Sequence, residues 1–230
     1  MTNNDLSSPE DSTHAFDNAD MGTLVDMSSD RRLQRFLKRA IDIVGSVFMI
    51  FVLSPLFILL AVIVRIIDGA PIIYRRRVVG RIHSFDAYKF RTMCREADAM
   101  LASDLNLRMA YAQDFKLKAD PRITRLGAWL RKYSLDELPQ LFNVLKGQMS
   151  LVGPRMITSP ELEKYGPYQH LLRTVKPGLT GYWQVEGRQD VSYTERVRMD
   201  VYYITQWSLF LDFMILLKTP TRVILGQGAY

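Results

Sequence analysis

Residues 43 to 64 read IVGSVFMIFVLSPLFILLAVIV, 22 positions without a charged side chain. As one straight helix this run extends about 33 Å, enough to match the hydrocarbon core of a bilayer. Its flanks argue against a simple crossing. Arg31, Arg32, Arg35, Lys38 and Arg39 precede it, and Arg65, Arg75, Arg76, Arg77 and Arg81 follow it. Lys and Arg favour the cytoplasmic side, so equal basic flanks suit two ends on one face of the membrane. Ser54-Pro55 lies at the midpoint. Proline removes a backbone hydrogen bond and crowds the carbonyl four residues earlier, and the Ser54 hydroxyl is available to satisfy the freed carbonyl. The expectation is a re-entrant helix-break-helix over residues 31–68 that enters the cytoplasmic leaflet and returns. A kinked spanning helix is the alternative.

Upstream, the composition changes. Residues 1–30 hold seven acidic side chains and no Lys or Arg, whereas the other 200 residues hold all 30 basic residues against 17 acidic ones. The overall charge of +6 therefore conceals an acidic tail, expected to be disordered, and a strongly basic body. The tail lacks the basic start and apolar run of a signal peptide. A single cysteine, Cys94, excludes an intramolecular disulfide and suits a reducing compartment. His14, His83 and His170 match no zinc spacing, so any metal would be a hard cation on carboxylates.

Downstream, residues 69–230 read as a cytoplasmic-face module. Short β-branched and aromatic stretches around Gly80 predict a small hairpin, and CREADAMLASDLNLRMAYAQDF predicts a helix. In KADPRITRLGAWLRKY, Ile123, Leu126, Trp129, Leu130 and Tyr133 share one side of a basic amphipathic helix suited to anionic headgroups. Leu138, Leu141, Phe142 and Leu145 repeat at helical spacing, with Gly147 as the stop. Glycine-proline clusters from SLVGPRM to VKPGLTGYWQVEGRQD predict a structured, substrate-facing wall. The last helical stretch is expected to run to Lys218, interrupted by Asp212 and too short to span. The expected fold is mainly α with a small β-hairpin, combining the membrane hairpin with interfacial amphipathic helices and a catalytic module.

Two sets of residues suggest chemistry. Lys89, Arg91, Arg131, Arg155, Lys176 and Arg188 stand among turns and suit an anionic ligand, since arginine presents a planar fork of donors and lysine a point charge. Each alone also suits a solvated surface. The adjacent carboxylates Asp136 and Glu137 in SLDELPQL either start a helix, as the Ser134-to-Glu137 spacing of a capping box permits, or act on phosphate. Pro139 weakens the box and moves the expected helix start toward Asp136, which would place that carboxylate at a positive helix end.

The ordered set KRAIDIVGSVFMIFVLSPLFIL, YKFRTM, DPRITRLGAWLRKYSLDELPQLFNVLKGQMSLVGPR, KPGLTGYWQVEGR and DVYY resembles the bacterial sugar transferases, the monotopic phosphoglycosyl transferases that load a polyprenyl phosphate with a sugar phosphate. It is most similar to their short exopolysaccharide-initiating members. The resemblance implies that Asp136 attacks a UDP-hexose, UDP-galactose or UDP-glucose, releasing UMP and leaving an aspartyl phosphosugar that undecaprenyl (polyprenyl) phosphate then attacks. It also implies Mg2+ on Glu137, and phosphate contacts from Arg131, Lys89, Arg91, Arg155, Lys176 and Arg188. Two positions depart from the family pattern, Met156 after GPR and Lys176 where RPG is usual. The implied location is the bacterial inner membrane, with the catalytic module on the cytoplasmic face among inner-leaflet lipids. No nucleic-acid partner is expected, and a homo-oligomer is left open. The competing readings are a membrane-anchored basic binding or regulatory module and a magnesium-dependent diphosphate hydrolase.

Overall fold

The computed structural model describes residues 29–115, 117, 119–187 and 191–226. The acidic tail up to residue 28 and Arg188 lie outside them.

The apolar run forms one helix, α1 (Ser29–Ile67), which continues through Pro55 without interruption as secondary structure. The expected break is therefore not a gap in the helix. Ser54 supplies part of the reason: its Oγ donates to the Phe51 carbonyl at 2.8 Å, the acceptor that the Pro55 nitrogen cannot serve. Only 11% of the most apolar 18-residue window of α1 is buried, so this is not the central helix of a soluble core. One stripe of it does pack. Leu60 and Val64 are fully buried against Phe90 and Leu130, and Phe57 meets Phe142 edge to face at 6.1 Å. Each buried aliphatic side chain contributes about 1.5–3 kcal/mol.

After α1 comes the predicted hairpin, β1 (Ile73–Val78) antiparallel to β2 (Phe85–Phe90). The helix expected next is two helices, α2 (Ala97–Ser103) and α3 (Leu105–Asp114). Asp104 divides them because its carboxylate caps α3 by accepting from the Leu107 N–H at 3.0 Å. The basic amphipathic helix is α4 (Arg125–Lys132), capped by Thr124, with Leu130 buried and Trp129 exposed. α5 (Gln140–Leu145) follows and ends at Gly147, whose φ of +78° confirms it as the stop.

The glycine-proline stretch contains a parallel pair that sequence periodicity does not reveal: β3 (Ser150–Val152) beside β4 (Gly178–Thr180). Between them lie α6 (Ser159–Leu162) and α7 (Gln169–Leu172). α8 (Tyr182–Glu186), α9 (Tyr193–Thr205) and α10 (Leu209–Ile224) complete the fold. Ser208 separates the last two by capping α10, which continues past Lys218 with Pro220 inside it. The main core gathers Leu141, Val144, Met149, Val152, Val185, Tyr203 and Ile215 from α5, β3, α8, α9, α10 and the turn after α5.

The N-terminal half of α1 is tied to this core by charge. Lys38 Nζ donates to Asp212 at 2.6 Å and to the Val152 carbonyl at 2.9 Å, and Tyr203 donates to the other oxygen of Asp212 at 2.7 Å. The Asp42 carboxylate accepts from Ser150 Oγ and the Leu151 N–H, both at 2.9 Å. Asp212 thus serves to dock α10 on α1 rather than merely to interrupt an apolar run.

Candidate active site

The chain leaves α4 through Ser134, which sits in the left-handed region at φ +53°. Its side chain makes no capping bond. The capping box allowed by the spacing does not form, and Asp136 and Glu137 instead lie in a 3-10 turn, Leu135–Glu137. Successive i to i−3 bonds carry the chain onward, from the Glu137 N–H to Ser134 O at 3.2 Å through the Phe142 N–H to Pro139 O at 3.2 Å. A tight turn suits this sequence because Pro139 has no N–H for the α-helical pattern. The α-helix begins at Gln140, so Asp136 is not at its start.

Both carboxylates are buried, Asp136 at 4% exposure and Glu137 at 8%. Glu137 Oε1 accepts from Lys89 Nζ at 2.6 Å and from Arg155 Nη2 at 2.9 Å. Lys89 Nζ stands 3.8 Å from Asp136 Oδ2. Burial opposes ionisation of Glu137, but Arg155 and Lys89 outweigh it and hold its pKa down at about 2. Asp136 moves the other way: burial raises its pKa, and the charge of Glu137 adds to that against the pull of Lys89, Arg131 and Arg155. One carboxylate is thus a fixed anion and its neighbour a more basic carboxylate.

Two devices position the cations. On β2, the Asn143 side chain accepts from the Tyr88 N–H at 3.0 Å and donates to the Asp86 carbonyl at 2.8 Å, fastening the strand that carries Lys89 to α5. Asn143 is fully buried, and its place inside the apolar repeat of α5 is the sequence signal that could have found it. Arg155 is held where the two glycine loops meet. The Gly153 N–H donates to Thr180 O at 3.0 Å and the Gly178 N–H to Pro154 O at 2.8 Å. A Cβ on Gly178 would fall 2.2 Å from the Gly153 nitrogen, so only glycine allows this approach.

The cluster faces a cavity of about 1060 Å³. Its lining includes the apolar Met49, Leu53 and Leu56 of α1 with Leu179 and Leu216, and the polar or aromatic Trp183, Arg196, Tyr193 and Asp200. Arg155 and Arg196 lie over the Trp183 ring at 5.9 and 4.9 Å. Asp200 accepts from the Tyr165 hydroxyl at 2.7 Å, and burial pushes its pKa up to about 7.

The other sequence candidates separate. Arg131 lines the cavity, and its Nε donates to Thr92 Oγ1 at 2.9 Å; burial lowers its pKa. Arg91 also borders the cavity, yet its guanidinium donates to the carbonyls of Ala70 at 2.6 Å, of Gly69 at 2.9 Å and of Asp68, bracing the turn after α1. Lys176 is not among the lining residues; its ammonium stands near Arg39 and Gly147. The structure therefore does not bring Lys176 to the carboxylates, because its backbone lies against Gly153 in the loop that presents Arg155 while its ammonium lies toward Arg39 and Gly147. A Cβ on Gly153 would lie 2.6 Å from the Lys176 carbonyl.

The family model for bacterial sugar transferases matches residues 33–226. The chain belongs to the bacterial sugar transferase family. Among its relatives in that family, the undecaprenyl-phosphate galactose phosphotransferase of Salmonella typhimurium is 50% identical over 205 residues, 87% of this chain and 43% of that protein. The exopolysaccharide production protein ExoY of Rhizobium meliloti is 42% identical, over 84% of this chain and 88% of its own length. The undecaprenyl-phosphate glucose phosphotransferase of Komagataeibacter xylinus is 35% identical over 84% of this chain and 37% of that protein. The chain spans less than half the length of several relatives it matches, and most of that of ExoY.

Among the described residues no group of three or more His, Cys, Asp or Glu could cage a metal. The donor set nevertheless fits a cation shared with a substrate. Among the described residues the contacts of Glu137 fall on Oε1, which leaves Oε2 for a cation, and magnesium commonly takes one or two carboxylates together with substrate phosphates and water.

Proposed function

We propose that the chain transfers a hexose-1-phosphate from a UDP-sugar, UDP-galactose or UDP-glucose, to undecaprenyl phosphate, as an initiating step of exopolysaccharide synthesis. The observation that carries this reading is the buried pair: Asp136 with a raised pKa beside Glu137, Lys89 and Arg155, on a cavity lined by both apolar and cationic or aromatic side chains. The relatives named for galactose and glucose phosphotransfer agree with both sugars.

In the first step an Asp136 oxygen attacks the sugar-bearing phosphorus. The bond from that phosphorus to the bridging oxygen breaks, and UMP leaves. In the second, a phosphate oxygen of undecaprenyl phosphate attacks the same phosphorus and the Asp136 carboxylate departs, leaving a lipid-linked diphosphosugar. Lys89, 3.8 Å from Asp136, and Arg155 offset the charge that builds on the phosphoryl oxygens. Arg131, half-buried, lines the same cavity. Mg2+ held by Glu137 would supply Lewis-acid stabilisation of the leaving UMP.

The membrane arrangement we favour is re-entrant, at the cytoplasmic face of the inner membrane. Its support is that Lys38, Arg39 and Asp42 near one end of α1 and Leu60 and Val64 near the other all contact the same folded module. A crossing helix would carry one of those ends to the far side. On this reading the prenyl chain lies along Met49, Leu53 and Leu56, apolar residues that share the cavity lining with the carboxylates.

The test is to incubate membranes bearing the protein with undecaprenyl phosphate, Mg2+ and each of a panel of radiolabelled UDP-hexoses. Lipid-linked label with stoichiometric UMP is expected for one or both hexoses. Free sugar phosphate would indicate a hydrolase, and no turnover with any sugar would return the chain to a binding role.

A further inference from the structure

Lys176 has no part in the catalytic cavity, and its surroundings point to a different anion. Its Nζ lies 3.7 Å from the position a Gly147 Cβ would take, and Arg39 Nη2 lies 3.5 Å from the same position, so the two cationic groups are within about 7 Å of each other. Arg39 is anchored there by donating to the carbonyls of Val144 at 2.7 Å and Leu145 at 2.9 Å at the end of α5. Those bonds occupy only part of its donor fork. Lys176 has no hydrogen-bond or ion-pair partner among the described residues.

The charge around this point is only partly compensated. Arg81, on the loop between β1 and β2, adds a further cation, and Lys38 a fourth that is already neutralised by Asp212 at 2.6 Å. Asp42 is the acid that acts on Lys176, and its carboxylate is committed to Ser150 and Leu151. Burial, with the charges of Arg39, Arg81 and Lys38 against the pull of Asp42, brings the Lys176 ammonium below its usual pKa range. Half-buried like charges that outnumber the one carboxylate among them favour a further anion between them.

The location indicates which kind. Arg39 stands four residues before the uncharged run of α1, and exposed apolar side chains share its side of the helix: Phe36 three residues before it and Ile43 four residues after it are 70% and 41% exposed, and Ile82 beside Arg81 is 72% exposed. Gly147 leaves the floor open. From this geometry we infer that Arg39, Lys176 and Arg81 hold the phosphate of an anionic phospholipid headgroup, at a site separate from the catalytic cavity, with the acyl chains along the exposed start of α1. The inference needs α1 at the membrane but not the transfer chemistry.

The experiment uses the full chain in a neutral detergent and follows its thermal unfolding midpoint as phosphatidylglycerol, phosphatidylcholine or inorganic phosphate is added at matched concentrations. Phosphatidylglycerol alone is expected to raise the midpoint. Lys176→Gln, and independently Arg81→Gln in its exposed loop, should each weaken that response about tenfold in lipid concentration, the loss of one charge-assisted contact. An undiminished response in both variants overturns the site. An equal shift with inorganic phosphate overturns the lipid assignment in favour of a free anion, and an equal shift with phosphatidylcholine overturns the role of headgroup charge.

Discussion

Replacing Glu137 by Gln removes a charge that the protein holds in place, and the structure gives the size and direction of the consequence. In the native state Arg155 and Lys89 keep this carboxyl at about 2, against an ordinary 4.5. A difference of about 2.5 pKa units at ~1.36 kcal/mol each corresponds to about 3 kcal/mol. The native pKa is the lower one, so this stability is present above pH 4.5 and disappears as pH falls through about 2. Glu137→Gln lacks it at every pH. The gap in unfolding free energy between native protein and variant should therefore narrow by about 2 kcal/mol between pH 6 and pH 3, with the remainder lost below. Denaturant titrations of the detergent-solubilised chain at several pH values measure the gap. The same change acts on chemistry: without the repulsion from Glu137, and with Lys89 released toward it, Asp136 becomes more acidic. The acid limb of the transfer rate then moves to lower pH while the maximum falls. A stability gap that is the same at pH 6 and pH 3 would refute the view that the two cations hold Glu137 ionised.

Other outcomes follow from the same contacts. Asp136→Asn should abolish lipid labelling while leaving the chain at least as stable at neutral pH, because burial disfavours the charge it removes; calorimetry and the radiolabel assay check the two halves. Asn143→Ala strands the Tyr88 N–H and the Asp86 carbonyl, costing about 2–5 kcal/mol in a denaturant titration. Transfer should fall even at temperatures where the variant stays folded, since Lys89 loses its register. Gly178→Ala forces apart the loops that place Arg155, with its Cβ 2.2 Å from the Gly153 nitrogen. Its signature is loss of activity larger than that of the neighbouring Leu179→Ala, read in the same assay.

Local chemistry made part of this site legible. The SLDELPQL turn shows two adjacent carboxylates and a proline that disfavours a simple helix start, and both features survive in the fold. The capping box did not, because its formation depends on Ser134 having extended backbone, and the chain reversal after α4 puts that residue at φ +53°. The β1–β2 hairpin was readable from β-branched residues around a glycine, whereas the β3–β4 pair was not. Each of those strands has three residues, too few to show a period, and they pair across an intervening stretch of helical turns.

By itself the sequence determined that a long uncharged run precedes a basic module and that Asp136 and Glu137 stand side by side as the candidate carboxylates. Those properties belong to contiguous residues. Which cations meet them was decided only by tertiary structure. Lys89 reaches Glu137 from 48 residues away through the Asn143 clasp, and Arg155 from 18 residues away through the paired glycine loops. Arg91 and Lys176, equally basic, went to backbone carbonyls and to a separate cluster beside Arg39. Charge is written into each side chain, but convergence depends on which backbones can approach closely enough to pair.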